Sequence, residues 1–246
     1  YGPERSSASV ATAVHRLVYE LLESPDPYWE LKKQSNEMAQ RLLPAAEAII
    51  ENNNDPLEAA MLCSIVGNSI DFGIAGSASS PKELEERFIY DVEQGLQHSD
   101  MDRLRNHLHG DVLYFTDNCG EIVFDRLVCR ELKSHHDITL TLVVKGAPIL
   151  TDATMEDVQA LQFDEVVDDI VTTGGFAIGV DFDMLPEIGR HGLDKASLVI
   201  AKGMANYEAF SEITYRPIAF LLKVKCKSIA EAMDMPLNGH IVAVYD

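Results

Sequence analysis

The sequence predicts an α/β fold, a mainly parallel sheet with helices on both faces, preceded by an N-terminal helical lobe. Two rhythms carry this reading. Up to about His109 apolar residues recur at helical spacing between Pro- and Asn-rich breaks. Beyond Gly110, short runs rich in β-branched residues alternate with amphipathic stretches, the signature of βαβ units. No internal repeat or low-complexity linker interrupts the 246 residues, so one compact unit is expected, with residues 1–109 as helical lobe and 110–246 as α/β region.

In the lobe, Val10, Val14, Leu17, Val18 and Leu21 fall at helical spacing before the Pro25-Asp26-Pro27 turn. Met38, Leu42, Leu43, Ala46, Ile49 and Ile50 mark a second helix, closed by the Asn-rich stretch that runs into Asp55-Pro56. A third, from Pro56 to Ile70, carries Leu57, Met61, Leu62, Ile65 and Val66 and leads into Gly67-Asn68-Ser69-Ile70-Asp71. In the second region Val112 to Phe115, Ile138 to Val144, Ser197 to Ala201, Ile218 to Val224 and Ile241 to Tyr245 are the predicted strands. Glu121 to Lys133, Met155 to Leu161, Tyr207 to Ile213 and Ser228 to Met233 suit the helices between them.

Composition narrows the function. With 46% hydrophobic and 7% aromatic residues the chain has the makings of a packed core. It contains no apolar run long enough to span a bilayer. It opens at Tyr1 with neither Met nor a signal-like apolar stretch, which fits a trimmed N-terminus. Its net charge of -20, without a Lys/Arg-rich run, repels nucleic-acid backbones and anionic membranes. The acidity serves first as a solubilising surface and secondarily as an attraction for cations. Cys63, Cys119, Cys129 and Cys226 form no Cys-x-x-Cys pair, which argues against a zinc knot or a disulfide scaffold and for free thiols in a cytoplasmic protein.

In open α/β sheets ligands sit outside the carboxyl ends of the strands. Three segments place polar residues there: Thr116 to Glu121, Lys145 to Pro148 with Thr151 to Thr154, and Lys202 to Glu208. Asp117, Asn118 and Asp152 offer only oxygen donors, which suit Mg²⁺ or Mn²⁺. Each Asp alone would more often be a helix N-cap. Lys145 and Lys202 each precede a glycine, pairing a point charge for phosphate with close backbone approach at Gly146 and Gly203; solvent-facing lysines in turns would give the same pattern.

Other signals weigh less. Asp181-Phe182-Asp183 follows a glycine-rich stretch rather than a strand, and Gly174 to Gly179 fails the Gly-x-Gly-x-x-Gly pattern, which disfavours a dinucleotide-dependent oxidoreductase. Cys119 and Arg126 are one residue too far apart for a cysteine-phosphatase loop, so Cys119 is expected to pack beside the site. His107, His109, His135 and His136 lie away from the strand ends.

Asp117-Asn118-Cys119-Gly120-Glu121, the Lys145 to Thr154 stretch and the Ala201 to Glu208 stretch together resemble the signature segments of the metal-dependent damage-control phosphatases, also known as domain of unknown function 89. Gly67 to Asp71 and Thr173-Gly174 resemble further motifs of that family, in the family's order, and the likeness runs from about Pro27 to the C-terminus. The stand-alone microbial branch is the nearest in size. Its usual cysteine-containing opening segment is absent, so the lobe is expected to be incomplete. The resemblance implies a three-layer αβα sandwich with a helical lobe and one divalent cation (Mg, Mn, Co or Ni) held by Asp117, Asn118 and Asp152. It also implies hydrolysis of phosphate monoesters of small metabolites, such as sugar phosphates or damaged cofactor and nucleotide precursors.

On that reading Lys145 and Lys202 neutralise phosphoryl oxygens. Asn68 and Asp71 close the site from the lobe, Gly203 lets the backbone approach the substrate, and Asn206 and Glu208 hold substrate hydroxyls or support the ligands. Asp71 and Asp152 both stand as general base. The partner is a small phosphorylated metabolite, with no nucleic acid and no membrane, and nothing fixes an oligomeric state. A non-enzymatic metal- or nucleotide-binding module is the alternative. A carboxyl methyltransferase, proposed for a relative, is disfavoured because no methyl-donor glycine loop is evident.

Overall fold

A computed structural model describes residues 7–68, 80–213 and 215–246. Helices α1 (Ser7–Leu21), α2 (Trp29–Glu51), α3 (Pro56–Gly67) and α4 (Pro81–Glu93) come first. Local chemistry sets their ends. Asp55 caps α3 by accepting the Glu58 N–H at 3.2 Å, with Pro56 at the first helical position. Ser80 and Glu83 form a reciprocal capping box on α4. In α2 the buried residues Lys32, Ser35, Ala39, Leu42, Ala46 and Ile50 follow the helical repeat as one stripe. Almost every residue of α3 is buried, because it lies between α2 and the helix Glu121–His135 that follows the Gly110–Phe115 strand.

The remaining elements are β1 (His98–Ser99), α5 (Met101–Asn106), β2 (Gly110–Phe115), α6 (Glu121–His135), β3 (Ile138–Val144), α7 (Met155–Ala160), β4 (Asp169–Thr172), α8 (Glu187–Lys195), β5 (Leu198–Lys202), α9 (Gly203–Ile213), β6 (Ile218–Lys223), α10 (Lys227–Met233) and β7 (His240–Tyr245). Among the described residues they build one seven-stranded sheet in the order β1-β7-β6-β5-β2-β3-β4. Every pairing is parallel except β6 with β7. Alternation along each strand divides the interior in two. Val112, Tyr114, Leu140, Leu142, Leu198 and Ile200 pack with α2, α3, α4 and α6. Leu113, Phe115, Val143, Val199 and Phe220 pack with Leu193, Phe210, Ile229 and Met233 from α8, α9 and α10. The result is the expected αβα sandwich.

Two expectations need correcting. The stretch up to His109 is not wholly helical, since β1 pairs with Ile241 and Val242 of β7. The second region holds an additional strand, β4, and an additional helix, α8. β4 eluded the pattern because it is a short edge strand with only Ile170 and Val171 apolar. No helix among the described residues is long and apolar enough to cross a membrane.

Candidate active site

β2, β3 and β5 lie side by side, so their carboxyl ends open on one rim. After Phe115 the chain leaves β2 through Thr116, whose N–H donates to the Val143 carbonyl at 3.0 Å, and enters Asp117 and Asn118. After β3 it loops out and returns antiparallel to that segment. An isolated bridge pairs Asn118 with Asp152, the Cys119 N–H donates to the Thr151 carbonyl at 2.7 Å, and the Ala153 N–H to the Asp117 carbonyl at 2.8 Å. Backbone pairing thus brings the three predicted oxygen donors together. Neither Asp is a helix cap, because Gly120 occupies the N-cap of α6 and Thr154 that of α7.

β5 delivers the third wall. Gly203 has φ +76°, and a Cβ there would lie 1.9 Å from Asp117 Oδ2. Only a residue without a side chain lets the start of α9 sit against the Asp117 carboxylate. Gly146 is equally constrained, since its Cβ would meet the Gly175 nitrogen at 2.5 Å. The Gly174 to Gly179 stretch is therefore a loop packed on Lys145-Gly146, with the Lys145 ammonium donating to the Gly179 carbonyl.

The site is an array of buried charges. Lys145 pairs with Asp152 at 3.4 Å. Lys202, wholly buried, donates to Glu121 and Asp125 at 2.8 Å each and to the Ser64 hydroxyl. Burial works against its charged form, but Asp125 and Glu121 outweigh that and hold its pKa above the usual lysine range. Its three donors are thus occupied by protein, and it faces carboxylates where sequence reasoning had it facing phosphate. Burial, then the charges of Glu121 and Asp152, push the Asp117 carboxyl well above the ordinary range. Asp152 and Asp125 are also raised, burial outweighing their lysines.

Asn68 reaches in from the end of α3, its amide donating to Asp117 Oδ2 at 3.1 Å and to Glu121, while Lys225 donates to its oxygens. Asp71 lies outside the described residues. Asn206 is buried and donates to the carbonyls of Thr116 at 3.0 Å and Lys202 at 2.8 Å, stapling β2 to α9 rather than facing a ligand. Glu208 lies further along α9, close enough to Cys226 for its charge to oppose that thiol's lowered pKa.

Glu121, Asp125 and Ser64 were not singled out from sequence. Glu121 accepts from the Asn118 N–H at 2.9 Å and from the Asn118 amide at 3.3 Å, which leaves the Asn118 oxygen turned to the Thr151 hydroxyl at 2.7 Å. One available signal was the acidic pair at i and i+4 on an otherwise apolar face of α6. Cys119 packs beside the site as expected, its thiol pushed up by burial. Asp181 and Asp183 are exposed in a turn, and His107 binds Asp246 far from the rim.

Among the described residues no three His, Cys, Asp or Glu side chains form a metal cage by themselves, so a cation here would need the mixed set of two carboxylates, the Asn118 amide and water. The charge count fits such an ion. Asp117, Glu121, Asp125 and Asp152 are buried near Lys145 and Lys202, with Lys32 also acting on Asp152, so among the described residues carboxylates outnumber ammonium groups and a divalent cation would suit the excess.

Comparison with known proteins gives the family. The sequence profile of the damage-control phosphatase ARMT1-like domain matches residues 2–241. The chain belongs to the damage-control phosphatase family. A damage-control phosphatase of Archaeoglobus fulgidus is 40% identical over 246 residues, covering 100% of this chain and 85% of the relative. Damage-control phosphatase PH1575 of Pyrococcus horikoshii is 30% identical over 246 residues, covering 99% and 83%. The crystal structure of PH1575, described as a DUF89 family protein, superposes with a TM-score of 0.86 at 29% identity, covering 96% of this chain and 81% of that one. The PH1575 structure thus shares the fold of this chain over most of its length.

Proposed function

We propose that the chain hydrolyses phosphate monoesters of small metabolites, using one divalent cation (Mg, Mn, Co or Ni) held by Asp117, Asn118 and Asp152. The observation that carries this reading is the pairing of Asn118 with Asp152 beside Asp117, in a buried site where carboxylates outnumber lysines. A cation bound there supplies Lewis-acid polarisation of a phosphoryl oxygen and a template for attacking water.

The chain's own residues do the rest. Lys145 lies at the rim beside Asp152 and neutralises phosphoryl charge. α9 begins directly at the end of β5, so the positive end of its dipole favours an anion at the same rim. Asn68 holds the lobe against Asp117. Asp71, three residues further on, is the candidate proton acceptor, because Asp152 is committed to Lys145 and to the oxygen set. Lys202 maintains Glu121, which in turn orients the Asn118 amide. The damaged-metabolite substrate class comes from the names of the relatives.

The test is phosphate release from a panel of sugar phosphates, nucleotides and phosphopantetheine derivatives with each of the four metals. Turnover that vanishes with chelator and in Asp117→Ala supports the proposal, and turnover that survives both refutes it. Metal-dependent stabilisation without turnover across the panel would mark a binding module instead.

A further inference from the structure

A second polar cluster lies behind the rim, on α2. Lys32 and Asn36 are one helical turn apart on the buried side of that helix. The Asn36 oxygen accepts the Gly120 N–H at 2.7 Å, and its amide nitrogen donates to Asp157 Oδ1 at 3.2 Å. Asp157 Oδ2 accepts the Thr154 N–H at 2.9 Å and the Thr154 hydroxyl at 2.8 Å. Lys32 stands 3.3 Å from the same oxygen and donates to Asp26 at 3.1 Å. Gly120 comes two residues after Asn118, and Thr154 two residues after Asp152. One carboxamide therefore spans the two loops that carry the proposed metal donors, from an element that contributes no donor itself.

We infer that Asn36 is a positioning residue that sets the separation of the Asp117-Asn118 loop and the Asp152 loop. A carboxamide can do this because it offers an acceptor and a donor in fixed opposition. A carboxylate at position 36 keeps the bond to Gly120 but meets Asp157 as a like charge, and an alanine loses both contacts. Lys32, 3.3 Å from Asp157 Oδ2, holds that carboxylate in place from the other side. Partners behind metal ligands of this kind are worth 10- to 100-fold in metal affinity. The inference rests on the metal reading proposed above only for its consequence, since the link between the loops exists without it.

The experiment uses the full chain and two measurements. Amide hydrogen exchange of the metal-free protein reports on residues 117–121 and 150–157, and calorimetry reports Mn²⁺ affinity. Asn36→Ala is expected to speed exchange in both loops together, to leave the α3 core unchanged, and to weaken Mn²⁺ binding about tenfold. The double variant Asn36→Asp/Asp157→Asn restores a donor–acceptor pair with the roles reversed and should return both readouts close to wild type. A merely stabilising side chain would lower the melting temperature while leaving the Mn²⁺ affinity alone. Unchanged exchange in either loop, unchanged Mn²⁺ affinity in Asn36→Ala, or failure of the double variant to recover overturns the inference. If Asn36→Ala does not fold, the double variant decides. Wild-type protein that takes up no Mn²⁺ while the exchange pattern appears as stated would sink the metal reading and leave the bracket standing.

Discussion

The rim and the floor of the candidate site are built from the same chemistry and solve it differently. On the floor, Lys202 meets Glu121, Asp125 and Ser64, and Tyr114 adds a hydrogen bond to Asp125 at 2.7 Å. Every ammonium proton there has an acceptor in the protein. At the rim, Asp152 has the more distant ion pair with Lys145 at 3.4 Å, and Asp117 is held beside two other carboxylates. The floor occupies every proton of its lysine and fixes geometry, although Asp125 Oδ2 is left without a partner among the described residues; the rim keeps its carboxylates on a longer and weaker pairing. A site that binds a cation needs both, a rigid support and an unmet demand for positive charge.

The sharpest way to break this comparison is to remove the floor's cation. Lys202→Met should leave buried carboxylates unpaired and cost about 3–5 kcal/mol in urea unfolding. A loss below about 1 kcal/mol would mean that the floor is not a charge-dependent support. Gly203→Ala comes next. A left-handed backbone costs a non-glycine residue roughly 1–2 kcal/mol, and the added methyl displaces Asp117, so the same assay should show a loss of about 2–3 kcal/mol. The divalent-dependent rise in melting temperature should disappear with it. Asp117→Asn should act in the opposite direction, stabilising the metal-free protein by roughly 0.5–2 kcal/mol because one of several crowded carboxylates is gone. A destabilised Asp117→Asn would show that the rim is as complete as the floor.

The smallest effect concerns the surface. With a net charge of -20, raising KCl from low to molar concentration should lift the melting temperature by roughly 2–4 °C. The defect of Lys202→Met relative to wild type should be the same at both concentrations, because salt screens a buried pair far less than exposed charge. A defect that shrinks in salt would place Lys202 nearer to solvent than the floor requires.

Much of this was legible in the chain. Ile138 to Val144 alternates Thr with apolar residues and ends in a run buried on both faces, and the strand found has those bounds. The three polar segments after β2, β3 and β5 were legible as a convergent rim because sheet topology puts successive carboxyl ends together. Two kinds of feature were not. β4 and α8 offer too few apolar residues for a period to show. The roles of Lys202 and Glu121 depend on depth: a Lys before a glycine looks the same whether its ammonium meets water or two carboxylates. A Glu at the start of a helix likewise reads as an ordinary first-turn acid. Asn36 was beyond local pattern altogether, its partner Gly120 lying 84 positions away.

The pairing of β1 with β7 carries a consequence for synthesis. His98 and Ser99 leave the ribosome well before β7, yet β7 is their only sheet neighbour among the described residues. The loops after β2, β3 and β5 can therefore be laid out on a nascent sheet whose flank is still open, with the edge of β6 exposed until β7 arrives beside it. Closure of that flank waits on the synthesis of β7, and a ribosome stalled before His240 would hold a protein with its rim assembled and its border unsealed.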